Sequence, residues 1–128
     1  MARNFKRPDE AAMQRVLARI SGGAAEVILR LAWLQGLYRA EITALRWDQV
    51  DLAGKALLLP DRTVPLDPSV EACLRAWYVR CAGNSECVAV SDRDQTPMRP
   101  ESVSRLARQA LNSEGLALSL MDLRRGFI

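Results

Sequence analysis

The sequence predicts an α+β domain, mostly helical, with one small three-stranded antiparallel sheet. Three observations carry this. The stretch Leu29 to Leu52, with Val27 and Ile28 just ahead of it, begins as a helix that is apolar nearly all round. Such a helix belongs at the centre of a domain, with the other elements packed about it. After Trp47 the apolar period shortens over three brief runs joined by tight turns, which is strand rather than helix behaviour. From Asp67-Pro68, a cap followed by a first-turn proline, helical periodicity returns and dominates the rest of the chain.

In chain order, Met1 to Arg7 is a basic N-terminal arm and residues 8–128 form the domain. Pro8 opens a helix with Asp9 and Glu10 in its first turn, where negative charge is favoured. Met13, Val16, Leu17 and Ile20 make its apolar stripe, Arg15 and Arg19 share another face, and Ser21-Gly22-Gly23 ends it. In the central helix only Glu26, Arg30 and Gln35 are expected to face water, and Gly36 breaks it. A short helix follows over Tyr38 to Arg46, with Tyr38, Ile42 and Leu45 inward and Glu41 among them. An acid on that stripe needs a cationic or hydrogen-bonding partner, because burying it alone is costly. Val50 to Leu52, Ala56 to Leu59 and Arg62 to Leu66 are the strands, turned at Ala53-Gly54 and Pro60-Asp61. A helix to Cys81 turns Val70, Leu74, Trp77 and Cys81 inward, and Cys87 to Val90 suits a further short strand. A helix from Glu101 to Asn112 turns Val103, Leu106, Ala107, Ala110 and Leu111 inward. Ser119, with Asp122 three residues on, resembles a capping box that opens a final helix.

One hundred and twenty-eight residues at 49% apolar content suit a single domain with a real core. There is no histidine, so the chain supplies no imidazole as base, acid or metal ligand. Cys73, Cys81 and Cys87 are odd in number and lack metal-site spacing, which fits a reducing cytoplasm. No metal and no cofactor is expected. The most apolar run is far short of the roughly 20 residues a bilayer needs, so no membrane span is expected either. Of the eighteen basic residues only Lys6 and Lys55 are lysine. Arginine binds phosphate oxygens with a planar, two-pronged fork, so this balance leans toward a phosphate-bearing partner.

Four segments in order resemble one family, the tyrosine recombinases or phage integrases. GLYRAEITALRWDQVDL is similar to the family's first arginine motif, of the form GLRxSELxxLxWxDID. RTVPLDPSVEACLRAW is similar to the strand, proline-leucine and helix that follow it. TPMRPESVSRLARQALNSEGL and then LSLMDLRRGFI are similar to the next helix and the second motif, HDLRHTFAT. The resemblance runs from about residue 8 to the C-terminus. It implies the recombinase catalytic-domain fold, without the C-terminal helix that carries the nucleophilic tyrosine, since that segment would follow Ile128.

In such enzymes a tyrosine attacks a DNA phosphate while two arginines clamp its oxygens. A histidine helps move protons, and a hairpin lysine protonates the leaving oxygen. Residue by residue, Tyr38 stands where the first arginine would be. Arg39, about 100° further round a helix, is expected to point out of the same site. Glu41 matches the family's glutamate, Met121 replaces the histidine, and Arg124 matches the second arginine, with Arg125 after it. The turn Leu59-Pro60-Asp61-Arg62 holds no lysine, and Arg62 makes a poor acid because it stays protonated. Tyr38 reads as packing and Tyr78 as a helix-surface or core aromatic rather than as nucleophiles. Losing several such groups costs orders of magnitude in rate, so the chain alone is not expected to cut DNA.

Binding is a separate matter. Arg39, Arg99, Arg105, Arg108 and Arg125 are the candidate DNA contacts, with a solvated polar face as the alternative for the helix after Arg99. Contacts to phosphate give weak, strongly salt-dependent affinity without sequence choice. The expected function is thus that of an integrase-like, DNA-associated, catalytically silent protein of the kind found in mobile elements. The rival is a protein-interaction module, self-associating or docking a partner recombinase through apolar surface near Leu123 and Phe127.

Overall fold

The computed structural model describes residues 9–81 and 83–127, with side chains described through residue 123. The arm expected at 1–7 and the side chains of Arg124, Arg125 and Phe127 lie outside this. The described elements are α1 (Glu10–Arg19), α2 (Ala24–Gln35), α3 (Arg39–Ala44), β1 (Val50–Asp51), β2 (Ala56–Leu58), β3 (Thr63–Pro65), α4 (Pro68–Cys81), α5 (Pro100–Asn112) and α6 (Leu120–Phe127). Both strand pairings are antiparallel, in the order β1-β2-β3, with Leu57 opposite Val50 on one side and Val64 on the other.

The central element is α2. Val27, Ile28, Leu29, Leu31 and Ala32 are buried on every side of it, and α3, α4, α5 and α6 all pack against it. It ends at Gly36, whose φ of 71° is left-handed backbone that a glycine adopts without strain. Gln35 departs from expectation. It is 3% exposed, donates from Nε2 to the Pro65 carbonyl at 2.8 Å, and accepts the Asp67 N–H on Oε1 at 2.7 Å. The side chain expected in water instead ties the central helix to the end of β3, and its burial is tolerated because donor and acceptor are both satisfied.

Other boundaries shift for local reasons. The Asp9 carboxylate accepts the Ala12 N–H at 3.1 Å, so Asp9 caps α1 rather than lying in its first turn. Leu45 has extended backbone, which stops α3 short of Arg46. Val88, Ala89 and Val90 are buried but form no strand of their own. Instead they are held by single bridges Arg46–Cys87 and Val90–Pro97, and by the Trp77 indole N–H donating to the Val88 carbonyl at 2.8 Å. Leu123, expected to leave apolar surface open, is fully buried because α6 packs along α2. No described helix is long and apolar enough to cross a membrane.

Candidate nucleic-acid interface

The site is built where α3, α5 and α6 meet. Leu37 ends the connection from α2 and is fully buried. Tyr38 follows with φ −76° and ψ 160°, the extended geometry of a helix cap. Its N–H donates to Glu41 Oε1 at 2.9 Å, half of a capping box with the glutamate in its usual third position. Tyr38 therefore precedes the helix, and the 100° offset expected between it and Arg39 does not apply. Both residues line one cavity of about 350 Å³, with Leu37, Ser104, Arg108, Ser119, Leu120 and Met121. This corrects the expectation that Arg39 points elsewhere. Tyr38 itself is 47% exposed.

The cavity is chemically two-sided. On α5, Ser104 and Arg108 are one turn apart and share a face. Arg39 donates from Nη1 to Ser104 Oγ at 3.3 Å, which sets its guanidinium beside that face. Opposite lie Leu120 and Met121, the first residues of α6. The Ser119 N–H and Oγ–H both donate to Asp122 Oδ2, at 2.9 and 3.1 Å, so of the box expected from sequence only the acid half forms at the start of α6.

Glu41 has the cationic partner its position demands. Arg62 donates from Nη1 to Oε2 at 2.6 Å and from Nη2 to Oε1 at 3.1 Å, and these bonds hold the guanidinium pKa above its ordinary value. Arg62 is thus committed to Glu41 and Asp61, the latter at 3.1 Å, and gives no proton donor at the hairpin. Lys55 sits in the β1–β2 turn at φ 56° and does not line the cavity.

A second groove, of about 420 Å³, runs along the other side of α5 between it and the 91–99 segment. Arg99, Ser102, Arg105 and Gln109 line it, so the arginines expected on this helix divide between two adjoining hollows. Charge separates the site from the rest of the surface. Arg15 and Arg19 pair with Glu114, Arg30 with Glu26, Arg46 with Glu86, Arg62 with Glu41, Arg75 with Glu71 and Arg80 with Asp92. Among the described residues Arg39, Arg93, Arg99, Arg105 and Arg108 have no carboxylate within 4.0 Å.

The candidates Arg124 and Arg125 have side chains outside the described set. Ser104, Ser119 and the Arg62–Glu41 pair were missed from sequence. Only the four-residue spacing of Ser104 and Arg108 marked them as neighbours, whereas the residues of the other pairings carry no such signal.

No protein-family model matches the chain, and no curated protein matches it. Solved structures do. The XerA recombinase superposes with a TM-score of 0.81 at 18% identity, over 98% of this chain and 50% of that one. The integrase from mycobacterium phage Brujita gives 0.76 at 25% identity, over 99% and 44%. A lambda integrase dimer bound to a COC′ core site gives 0.73 at 17% identity, over 99% and 40%. With its helices set round a three-stranded antiparallel sheet, and spanning about half the length of these proteins, the chain has the fold of the tyrosine recombinase (integrase) catalytic domain.

Proposed function

We propose that this domain binds duplex DNA through the α3–α5 face and does not by itself cleave it, serving a recombination-related role. The observation that carries the reading is the set of carboxylate-free arginines, Arg39, Arg99, Arg105 and Arg108, lining two adjoining hollows while the other described arginines, Arg93 apart, are ion-paired. An arginine already neutralised by an acid brings that acid's repulsion to any phosphate. One without an acid releases condensed counterions when it docks on the backbone. The lambda integrase dimer with the same fold was solved on its DNA core site, which supports the same partner here.

The silent chemistry rests on substitutions inside the chain. Where the fold's relatives resemble this sequence, a tyrosine and a methionine line the cavity in place of arginine and histidine, and the hairpin arginine is tied to Glu41. Among the described residues lining the cavity, that leaves neither a histidine nor a lysine to pass a proton to a leaving oxygen.

Fluorescence anisotropy with a labelled duplex tests both parts. Binding should weaken roughly a hundredfold between about 50 and 200 mM salt, as expected when about four phosphates are contacted. No binding at low salt removes the reading. A nicked suicide duplex should give no covalent adduct, and an adduct would overturn the silent part alone.

A further inference from the structure

We propose that Asp92 is a positioning residue for the α5 groove, pinning one wall of that groove to the start of the central helix. The inference rests on the DNA-binding reading for its effect on affinity, and not for the latch itself.

The start of α2 has no cap of its own. Gly23 stands at the cap position and offers no side chain. The buried Ala24 that follows donates its N–H to Asp92 Oδ1 at 2.9 Å, across 68 residues of chain. A carboxylate is favoured there, at the positive end of a 12-residue helix. The approach is close: a Cβ on Gly23 would stand 3.2 Å from the same oxygen, so glycine leaves the acid room to come in. Arg80 braces the contact from α4. Its Nη1 donates to the Gly22 carbonyl, its Nη2 lies 3.9 Å from Asp92 Oδ1, and its guanidinium sits 5.6 Å from the centre of the Trp77 ring.

The segment held in this way is tied to itself. The Ser91 N–H donates to the Thr96 carbonyl at 2.9 Å, and the Asp94 carboxylate accepts the Thr96 N–H at 3.2 Å and its hydroxyl at 2.8 Å. Beyond this closed turn the Met98 N–H donates to the Ala89 carbonyl at 3.0 Å, and Arg99 is the cap residue of α5. Ser91, Thr96, Met98 and Arg99 make one wall of the groove, facing Arg105 and Gln109 on α5. A self-tied segment moves as a unit, so a bond at Asp92 sets how far the wall stands from Arg105. Among the described residues, that bond is the one tying the segment to α2.

Charge makes the role separable from simple electrostatics. An acid near a DNA-binding face repels phosphate, so removing it for its charge alone tightens binding. Positioning predicts the opposite sign, because a wall in place in only a fraction of molecules lowers the apparent affinity by that fraction.

Amide hydrogen exchange, duplex anisotropy and thermal melts on the full chain with Asp92→Ala, Asp92→Asn and Asp92→Glu test the proposal. Asp92→Ala should speed exchange at the Met98 amide roughly fivefold, the factor expected from one lost cap, and weaken duplex binding about as much at an unchanged salt slope. Asp92→Asn keeps an acceptor for Ala24, so it should exchange like wild type and bind at least as tightly. Asp92→Glu keeps the charge but misplaces the acceptor. It should behave as Asp92→Ala does, and carries the test if that variant fails to fold. Tighter or unchanged binding by Asp92→Ala, or unchanged exchange at Met98, overturns the proposal. A lowered melting temperature with neither of those changes overturns it too, and leaves Asp92 a stabilising cap alone. If the wild type binds no duplex the DNA reading falls by itself, and exchange at Met98 still decides the latch.

Discussion

Arg62 holds Glu41 with both prongs of its guanidinium, at 2.6 and 3.1 Å, across the gap between the β2–β3 turn and α3. Glu41 in turn receives the Tyr38 N–H at 2.9 Å, so one carboxylate fixes both the hairpin and the start of the helix at the cavity rim.

That double duty makes the two partners unequal. Arg62→Ala removes the ion pair but leaves Glu41 capping Tyr38, and should cost about 1 kcal/mol, since the guanidinium is one-third exposed. Glu41→Ala removes the cap as well and should cost about 2 kcal/mol. Glu41→Gln keeps an acceptor for the cap and should fall between them. Chemical denaturation of the three variants checks the order, and equal losses for Arg62→Ala and Glu41→Ala would refute it.

Gln35 is the buried polar group on which the sheet hangs. Gln35→Leu fits the space but leaves the Pro65 carbonyl and the Asp67 N–H without their side-chain partner. An orphaned buried group costs about 1–3 kcal/mol, so the variant should lose roughly 2–4 kcal/mol despite being more apolar. A stability equal to wild type in urea would show that water reaches both groups.

Asp67 caps α4 by accepting the Ser69 N–H at 2.8 Å and its hydroxyl at 2.6 Å. Those bonds hold its carboxyl below the ordinary value of 3.8, Ser69 being the largest cause. The folded value lies below the unfolded one, so the cap contributes fully above about pH 4 and is lost as pH falls through the folded value. Asp67→Ala should cost about 1 kcal/mol at pH 7. The gap from wild type should narrow as pH falls below the unfolded value and close once the folded value is passed, as measured by thermal melts across pH.

The Cys73 thiol is pushed up to about 12, by burial first and by the Glu26 carboxylate second. At pH 8 its thiolate fraction is on the order of 10⁻⁴, so iodoacetamide should leave it unmodified in the folded chain while the denatured chain reacts at all three cysteines. Peptide mass mapping after short alkylation reads the difference.

How far the fold could be read in advance depended on how local its causes are. For α4 the cap, the proline and the stripe Val70, Leu74, Trp77 and Cys81 all lie within the segment, and its bounds come out as Pro68–Cys81. The burial of α2 follows equally from its own composition. Gln35 could not be placed because its partners lie 30 and 32 residues away. Tyr38 was misplaced because tyrosine is not a capping residue by type; only the glutamate three positions on marks the start of α3. Once the register of α3 was wrong by one residue, Arg39 was sent out of a cavity it lines. Residues 88–90 are apolar and buried like a strand, yet no neighbouring edge continues into a ladder beside them.

The arginine face yields the sharpest prediction, because two kinds of arginine predict different salt behaviour. Arg105 lines the α5 groove without a carboxylate within 4.0 Å, whereas Arg75 on α4 donates to Glu71 at 2.9 Å. If the α3–α5 face meets the DNA backbone, each such contact contributes about one unit to the slope of log affinity against log salt. Arg105→Ala and Arg99→Ala should then each flatten the slope by about 1 and weaken binding similarly for unrelated sequences. Arg75→Ala should leave slope and affinity unchanged, because its charge is already matched by Glu71 one turn away. Anisotropy titrations at four salt concentrations on each variant give the slopes. Parallel lines for wild type and Arg105→Ala would move the interface off α5, and a flattened line for Arg75→Ala would place it on α4 instead.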